Sequence, residues 1–299
     1  MLEHLPRKRA AIQTGLSLMS RLYTEVRGSG PTLVLLHGWG LNVRVWDGLA
    51  AALCDRFRIV TVDLPGHGRS GWLPERSSLE EQAAQVREIV ATITEEYSLL
   101  GWSLGGQIAL QLALEQQAAD ARLASVPSVA TTLNRLVLIA TTPRFVAGPE
   151  WPHGAPPERL AAQAEGLRTD YRRTVSDFLD LQVRGSAGGA EALAQLRAAL
   201  FGHVSHSPLE HHGPLLAALA RGLELLRDTD LRALLAEVIP PTLVIAGQYD
   251  RVTLPAASRA LADSLPNARY VEIRRAAHAP FLSHLPELSA LISDFLLQP

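Results

Sequence analysis

The most informative shortage in this 299-residue chain is lysine, which occurs once, as Lys8. A Schiff-base lysine, or a phosphate-binding loop that ends in Gly-Lys-Ser/Thr, would have to use that one residue. Lys8 lies in a polar segment near the start of the chain, outside every strand-like run. The sequence therefore excludes both chemistries.

Cysteine is equally scarce, because Cys54 is the only one in the chain. No intrachain disulfide and no thiolate metal cluster can form, and no HExxH or strand-following GxGxxG motif is present. We therefore expect neither a metal nor a cofactor. The cysteine content agrees with a reducing cytosol, and we expect a cytoplasmic protein.

The sequence also lacks a strong charge and a long apolar run. The formal net charge is −2, which gives no support to nucleic-acid binding through phosphate neutralisation. No stretch approaches about 18 uninterrupted apolar residues, so we expect no membrane span. With 47% hydrophobic and 19% charged residues, the composition is that of a globular protein. We expect a monomer, with residues 1–20 forming a poorly ordered extension rather than a signal peptide.

Short apolar runs alternate with amphipathic stretches along most of the chain. The runs are rich in Val, Ile and Leu and cover residues 32–36, 58–62, 97–100, 133–140, 242–246 and 269–273. Such runs are typical of strands buried on both faces of a parallel sheet. Helical patterns cover residues 78–96, which open with a capping box at Ser78, and residues 107–116 and 285–297. We predict an α/β fold with a mostly parallel central sheet flanked by helices.

One long stretch, residues 142–238, interrupts this alternation. It contains only helical patterns, at residues 158–167, 170–183, 190–200 and 209–226. We predict that it forms a helical cap, or lid, over the carboxyl ends of the strands. Residues 21–141 and 239–299 would then form the core domain. We predict a loop of small residues at 118–132.

The segment Gly101-Trp102-Ser103-Leu104-Gly105 follows a strand-like run and precedes a helical pattern. This G-x-S-x-G arrangement is a nucleophile elbow, in which a tight turn exposes the serine hydroxyl above a helix N-terminus. Glycines are required there because side chains would clash in the turn. Ser103 is therefore the candidate nucleophile, and a serine at this position excludes an aspartate-nucleophile mechanism.

A serine nucleophile needs a general base and an acid that orients the base. Asp250 and His278 follow the last two strand-like runs in the order serine, acid, histidine, and we assign them these roles. The rival acids are Asp63, Asp228 and Asp230, and the other histidines include His4, His37, His153, His203, His206, His211, His212 and His284. The histidines at 203–212 match no metal-ligand spacing, so we interpret them as part of a solvated loop.

The segment His37-Gly38-Trp39-Gly40 follows the first strong strand-like run. A backbone N–H from this position can reach a developing oxyanion. We therefore predict that the N–H groups of Trp39 and Leu104 form the oxyanion hole. We expect His37 to hold the loop rather than act as a base, and we assign Asp63 a structural role in its turn-rich segment.

Together, the motifs HGWG, DLPGHGRS, GWSLGG, GQYD and AAHAPF resemble those of the serine α/β-hydrolase family. The resemblance runs from about residue 33 to the end of the chain and implies an α/β-hydrolase fold. The segments HGWGLN, LGWSLGG, FLDLQ, GLELL and AAHAPF further resemble one branch of that family. Its members are serine carboxylesterases that hydrolyse the methyl ester of a pimeloyl chain on an acyl-carrier protein in biotin synthesis.

This closer resemblance implies a set of substrate-binding residues and a partner. The substrate-binding residues would be Trp39, Ser103, Leu104, Phe178, Leu179, Asp180, Leu181, Gln182 and His278. The partner would be the acyl-carrier protein, and the candidate residues for docking it are Arg172, Arg173, Arg184 and Arg197. Apolar side chains in the predicted cap, such as Phe145, Trp151 and Phe178, suit a methylene chain.

Two alternative functions use the same residues. One is a general short-chain carboxylesterase, or a related hydrolase of thioesters, lactones or peracids, with the same triad. The other is a catalytically silent scaffold that binds a ligand. The joint presence of Ser103, Asp250 and His278 favours an enzyme over the silent scaffold.

Overall fold

The structure is a computed structural model that describes residues 22–123, 131–201 and 212–298. Within these ranges the strands are β1 (Thr24–Arg27), β2 (Thr32–Leu36), β3 (Arg58–Val62), β4 (Glu96–Trp102), β5 (Thr132–Ile139), β6 (Thr242–Gly247) and β7 (Ala268–Ile273). They form one sheet in the order β1-β3-β2-β4-β5-β6-β7. All neighbouring pairs are parallel except β1 and β3, which are antiparallel.

The central strands are buried, as their continuous apolar sequences predict. Every residue of β2 (TLVLL) and every residue of β6 (TLVIAG) is buried. Strands with helices on both faces have no solvent-facing side and therefore need no polar alternation. The carboxyl ends of β2, β4, β6 and β7 lead directly into the segments that carry the candidate site residues.

Ten α-helices accompany the sheet in the described part of the chain. They are α1 (Asp47–Leu53), α2 (Leu79–Ala91), α3 (Leu104–Leu123), α4 (Pro157–Thr169), α5 (Tyr171–Val183), α6 (Gly189–Phe201), α7 (His212–Asp228), α8 (Pro255–Ser264), α9 (Pro280–Ser283) and α10 (Leu285–Leu296). Of the capping box predicted at Ser78, the N-cap half is present, because the Ser78 side chain accepts a hydrogen bond from the Glu81 N–H, whereas the Glu81 carboxylate pairs with Arg76 at 2.8 Å. None of the described helices combines the length and apolar character needed to cross a bilayer.

Helices α4 to α7 lie between β5 and β6 in the chain, where the sequence predicts only helical patterns. They contact one another in the pairs α4–α5, α5–α6 and α4–α7. They also contact the core, since Trp39 forms an edge-to-face contact with Phe178 of α5, with ring centroids 5.1 Å apart. This contact places α5 directly beside the loop that follows β2.

The structure corrects three sequence predictions. Strand β1 was not predicted, because its four residues (TEVR) include two charged side chains and form no apolar run. Residues 118–123, predicted as loop, continue α3, in agreement with the helix propensity of Ala, Arg and Leu, which make up five of these six residues. Helix α2 ends at Ala91 rather than at residue 96, because Glu96 already begins β4. The predicted N-terminal extension, residues 1–20, lies outside the described residues.

Candidate active site

Ser103 occupies the tight turn between β4 and α3. Its φ angle is +56°, in the left-handed region that few non-glycine residues adopt, and its N–H donates to the Ile139 carbonyl at 3.0 Å. The turn leaves no room for side chains at its flanking glycines. A Cβ on Gly101 would lie 2.5 Å from the Gly105 carbonyl oxygen, and one on Gly105 would lie 2.4 Å from the Leu36 carbonyl oxygen. The local geometry is therefore that of a nucleophile elbow.

Asp250 and His278, separated by 28 residues in the chain, form a buried pair. The Nδ1 atom of His278 lies 2.8 Å from Oδ2 of Asp250, and the two residues are only 1% and 3% exposed. The other carboxylate oxygen accepts hydrogen bonds from the N–H groups of Val252 and Thr253, at 2.8 and 3.0 Å. These bonds stabilise the carboxylate, which in turn keeps the proton of His278 on Nδ1. Nε2 is then free to accept a proton.

The Nε2 atom of His278 is buried and has no hydrogen-bond partner among the described residues. A buried, unpartnered imidazole nitrogen costs free energy unless another molecule occupies the site during function. The same is true of the side-chain amide of Gln182, which is fully buried with both its oxygen and its nitrogen unpartnered. Two residues joined by a backbone hydrogen bond, His278 and Gln182, thus each keep unpartnered buried polar atoms.

Two contacts that the sequence did not predict hold the loop that carries His278. The indole N–H of Trp102 donates to the His278 carbonyl at 2.9 Å, and the His278 N–H donates to the Gln182 carbonyl at 2.9 Å. The first contact ties the loop to the residue preceding Ser103, and the second ties it to α5. They connect the loop of the candidate base to the residue that precedes the candidate nucleophile and to the cap helix.

The loop after β2 lies against the elbow. A Cβ on Gly38 would be 3.3 Å from the Cβ of Ser103, so the backbone of this loop passes directly beside the serine. Leu104 is the first residue of α3, and its N–H therefore has no intrahelical acceptor. No backbone acceptor for the Trp39 N–H is found among the described residues. Both predicted oxyanion donors thus remain available.

His37 and Asp63 are not part of the Asp250–His278 pair. Their polar side-chain atoms instead form hydrogen bonds with backbone groups of the surrounding loops. Nδ1 of His37 lies 2.8 Å from the Gly38 carbonyl oxygen, and its Nε2 accepts the Leu64 N–H at 3.0 Å. Burial lowers the pKa of His37 to about 4, so the ring is neutral at pH 7. The carboxylate of Asp63 accepts the N–H groups of Val43 and Arg69 at 2.7 and 2.8 Å, while burial raises its pKa.

The five residues of α5 that the sequence nominated for substrate binding do not share one environment. Phe178 is half-buried against Trp39, Leu179 and Gln182 are fully buried, and Leu181 is half-buried. The side chain of Asp180 is 39% exposed and pairs with Arg197 of α6 at 3.4 Å. Its carboxylate is therefore directed to the neighbouring helix and not to the site that contains His278.

Trp39 is enclosed by cap helices as well as by the core. Its indole N–H donates to the Leu219 carbonyl of α7 at 2.9 Å. Gly222, one turn further along α7, lies so close that a Cβ there would be 2.6 Å from Cδ1 of Trp39. The same Cβ would be 3.7 Å from Cδ2 of Leu104. Helix α7 therefore packs on both residues nominated for the oxyanion hole.

The rival acids and histidines lie elsewhere. Asp228 pairs with Arg227 at 2.7 Å, and Asp230 pairs with Arg232 at 2.8 Å, both near the surface. His153 contacts the Trp151 ring, and His284 contacts the Ser283 hydroxyl. His4, His203, His206 and His211 lie outside the described residues, and His212 begins α7. Within the described chain, no group of three potential metal ligands is clustered.

The four arginines nominated for docking differ in their ion pairing. Arg173 pairs with Asp177 at 3.7 Å, and Arg197 pairs with Asp180 at 3.4 Å. Arg172 and Arg184 are exposed and form no ion pair with a described residue. The charges of the first two are therefore partly neutralised within the cap.

The fold and the serine elbow define a class, and the sequence comparison agrees with it. Residues 31–285 match the family model described as alpha/beta hydrolase fold, and the chain belongs to the α/β-hydrolase family. Among solved structures, the enol-lactonase from Burkholderia xenovorans has a TM-score of 0.74 over 93% of this chain and 96% of that chain. Its sequence identity is 24%, so the likeness concerns the fold.

Comparison with curated relatives gives a more specific likeness than the fold alone. The pimeloyl-acyl-carrier-protein methyl ester esterase of Nitrosomonas europaea is 39% identical over 266 residues, which is 89% of this chain and 95% of that protein. The enzyme of the same name from Aeromonas hydrophila is 38% identical over 270 residues, which is 90% of this chain and 96% of that protein. The alignments therefore extend over nearly the whole of both relatives.

Proposed function

We propose that this chain is a serine carboxylesterase that hydrolyses the methyl ester of a pimeloyl group carried by an acyl-carrier protein. The observation that carries the chemistry is the buried Asp250–His278 pair, held beside the Ser103 elbow by the Trp102 indole. The names of relatives that are 38–39% identical over about nine-tenths of the chain support the substrate.

The proposed reaction begins when Ser103 Oγ attacks the ester carbonyl carbon and transfers its proton to Nε2 of His278. The resulting oxyanion accepts hydrogen bonds from the N–H groups of Trp39 and Leu104. The tetrahedral intermediate then expels methanol, which takes the proton from His278, and leaves an acyl-enzyme. Asp250 stabilises the imidazolium that forms in between.

Water completes the cycle. His278 removes a proton from a water molecule that attacks the acyl-enzyme carbonyl, and a second tetrahedral intermediate forms in the same oxyanion hole. Its collapse returns the proton to Ser103 Oγ and releases the ω-carboxyl group of the chain. Gln182, whose backbone carbonyl accepts the His278 N–H, has two buried and unpartnered side-chain polar atoms, and we assign these to the polar end of the substrate.

The region predicted as a cap, residues 142–238, supplies the apolar surface that this substrate needs. Phe178 and Leu181 of α5 are half-buried, and Phe178 contacts Trp39. Apolar side chains of this kind bind a methylene chain by removing it from water, at about 25 cal/mol per Å² of buried surface. We place the pimeloyl chain between α5 and the Trp39 loop.

The test compares two methyl esters of the same acid, one bound to the carrier protein and one free and small. We expect a higher kcat/KM for the carrier-bound ester, and loss of turnover on both by roughly 10⁴-fold or more in Ser103→Ala. Ser103→Ala activity within about tenfold of the unmodified protein would overturn the serine mechanism, because this corresponds to only ~1.4 kcal/mol of barrier. Equal activity on both esters would favour a general short-chain esterase.

A further inference from the structure

The side chain of His37 contacts one group that can only accept a hydrogen bond and one that can only donate. Nδ1 lies 2.8 Å from the Gly38 carbonyl oxygen, so Nδ1 carries the ring proton. Nε2 lies 3.0 Å from the backbone nitrogen of Leu64, so Nε2 carries a lone pair and accepts the Leu64 N–H. The two contacts together fix the neutral tautomer that is protonated at Nδ1. The other neutral tautomer would lose both hydrogen bonds.

The Gly38 carbonyl belongs to the same peptide unit as the N–H of Trp39, which is one of the two proposed oxyanion donors. This peptide bond is trans. In a trans peptide unit the carbonyl and the N–H point in opposite directions within a rigid plane. A hydrogen bond that fixes the direction of the Gly38 carbonyl therefore also fixes the direction of the Trp39 N–H.

The order of the strands puts the partner of the His37 ring and the nucleophile on opposite sides of β2. The two neighbours of β2 in the sheet are β3 and β4. Leu64, which binds the ring, follows β3, whereas Ser103 follows β4. A Gly38 carbonyl held on the β3 side leaves the Trp39 N–H to the β4 side, where the backbone at Gly38 passes close to Ser103.

The backbone of this loop needs such a support. Gly38 and Gly40 flank Trp39, and glycine permits rotations of the neighbouring peptide planes that a Cβ would hinder. Within the described chain, no backbone N–H donates to the Gly38 carbonyl, and no backbone carbonyl accepts the Trp39 N–H. The His37 ring therefore supplies the hydrogen bond that holds this peptide plane before an oxyanion forms.

The surroundings of His37 keep its ring neutral, as this tautomer requires. The ring is fully buried, and burial lowers its pKa to about 4. Its Nε2 lies 3.8 Å from Oδ1 of Asp63, and its centroid lies 5.4 Å from that of the His67 ring. A proton on Nε2 would remove the acceptor for the Leu64 N–H, so the neutral ring is the form that makes both hydrogen bonds.

We infer that His37 is a positioning residue, which orients the peptide between Gly38 and Trp39 so that its N–H faces the oxyanion. The inference rests on the proposed function, because the role exists only if an oxyanion forms on Ser103. His37 acts through the Gly38 carbonyl, without contacting the reacting atoms. Rotation of this peptide by half a turn would remove one donor and direct a carbonyl oxygen at the oxyanion. Loss of one such donor costs about 10²–10³-fold in kcat.

Two substitutions separate the two hydrogen bonds of the ring. The amide nitrogen in His37→Asn can take the place of Nδ1 and donate to the Gly38 carbonyl, but no atom replaces Nε2. The amide oxygen in His37→Gln can take the place of Nε2 and accept the Leu64 N–H, but no atom replaces Nδ1. Each variant loses the buried ring and one hydrogen bond, so each is the matched control for the other.

For each protein, kcat and KM are measured on a free methyl ester, and the melting temperature checks that the variant is folded. The inhibition constant of a trifluoromethyl ketone is also measured. Ser103 Oγ adds to the carbonyl carbon of this ketone, its proton passes to His278, and the adduct keeps an oxyanion in the same hole. The affinity of the ketone therefore reports on the oxyanion donors.

We expect His37→Gln to lower kcat by about 10²-fold and to weaken inhibition by the ketone to a similar degree, with KM changed less than about threefold. His37→Asn should retain kcat within about fivefold of the unmodified protein, although both variants should have lower melting temperatures. Equal kinetic losses in the two folded variants, or a larger loss in His37→Asn, would overturn the inference while leaving the esterase proposal intact.

The tautomer is also measured in the unmodified protein, so the inference stays testable if a variant does not fold. NMR gives the nitrogen chemical shifts of the imidazole rings at neutral pH, and the proximity of the Leu64 N–H assigns the His37 ring. We expect a neutral ring protonated at Nδ1, and a proton on Nε2 would overturn the inference. An unmodified protein without activity on any methyl ester would instead overturn the proposed function, and with it the oxyanion role of His37.

Discussion

The position of His278 is determined by atoms from three distant parts of the chain. Asp250 binds its ring, Gln182 accepts its N–H, and the Trp102 indole binds its carbonyl. Each contact removes a degree of freedom from the imidazole, and catalytic groups must be held within about 0.5 Å of the productive geometry. The roles of individual residues can therefore be separated by substitutions that remove one contact each.

We expect Asp250→Asn to lower kcat by about 10⁴-fold, because an amide stabilises the wrong tautomer of His278. The control variants Asp228→Asn and Asp230→Asn alter exposed carboxylates that pair with Arg227 and Arg232. Each should retain activity within about twofold of the unmodified protein. The kcat of each of the three variants is measured by steady-state kinetics on a soluble methyl ester. A silent Asp250→Asn beside an inactive Asp228 or Asp230 variant would show that the acid is misassigned.

Trp102→Phe should act on His278 without changing its ring contacts with Asp250. The variant removes the donor to the His278 carbonyl and leaves a buried acceptor unsatisfied, which costs about 1–3 kcal/mol. Since Trp102 acts through another residue, we expect kcat to fall about tenfold, KM to stay constant and the acid limb of the pH–rate profile to move.

Trp46→Phe is the matched control for this variant. Trp46 belongs to the same aromatic cluster, with its ring centroid 6.1 Å from that of Trp102, but its indole nitrogen has no partner among the described residues. The Trp46→Phe variant should lose about as much packing energy as Trp102→Phe, with little change in kcat or in the pH–rate profile. Equal kinetic losses in the two variants would reduce the role of Trp102 to packing.

The three candidate catalytic residues could be named from the sequence, but the contacts that hold them in place could not. Ser103 lies in a motif that can be recognised from five consecutive residues. Asp250 and His278 follow strand-like runs in a known order. The bond between Trp102 and His278 joins residues that are 176 positions apart, and no periodicity or motif records it. The ion pair between Arg197 and Asp180 also crosses two helices and depends on how they pack.

Among the elements, strands buried on both faces were the easiest to predict, because each consists of consecutive apolar residues. Strands β2 and β3 begin and end where the apolar runs do. The sequence did not predict β1, because this strand is only four residues long. Its hydrogen bonds are made with β3, which lies more than thirty residues later in the chain. The end of α3 was missed because the residues after it are rich in Ser, Thr, Val and Pro, and the whole stretch 118–132 was assigned to one loop.

Helix α7 connects cap packing to the oxyanion loop, and Gly222 is the point of closest approach. We expect Gly222→Ala to destabilise the protein by about 1–3 kcal/mol, because the added methyl group would lie 2.6 Å from Trp39 Cδ1. It should also lower kcat, since Trp39 supplies a proposed oxyanion donor. Urea unfolding and steady-state kinetics measure the two effects.

Gly48→Ala in α1 is the matched helical control. A Cβ there would meet Leu285 Cδ2 at 3.5 Å, an ordinary contact distance. We expect this variant to gain about 0.5–1 kcal/mol of stability from helix propensity and to keep its activity. A Gly222→Ala protein that is as stable and active as Gly48→Ala would contradict close packing of α7 on Trp39.

At the scale of the whole molecule, buried neutral histidines make stability depend on pH. Burial lowers the pKa of His37 and of His67 from 6.5 to about 4. As pH falls below about 6.5, the unfolded chain takes up these protons while the folded protein does not. The free energy of unfolding therefore decreases with falling pH until about pH 4.

We expect urea unfolding to show this loss between pH 7 and pH 4.5, at up to roughly 3 kcal/mol per histidine. His67→Gln removes one titrating ring, so its free energy of unfolding should change less over the same interval. Glu25 does not contribute to the loss of stability between pH 7 and pH 4.5. Burial opposes its ionisation, but hydrogen bonds from Arg44 and Tyr23 lower its pKa to about 2, so its contribution is lost only at more acidic pH. A His67→Gln protein with an unchanged pH dependence would exclude His67 as a source.

The strand order leaves β1 and β7 at the two borders of the sheet described here, with unpaired backbone groups on their outer sides. Such borders can template strand addition from another chain, and long apolar ones promote aggregation. β1 is short and carries Glu25 and Arg27, and β7 carries Arg269 and Glu272. If a second copy of the chain added a strand at either border, its strand would lie directly against these charged side chains. The same charged residues that hide β1 from sequence prediction thus help to protect the folded protein from self-association through its sheet.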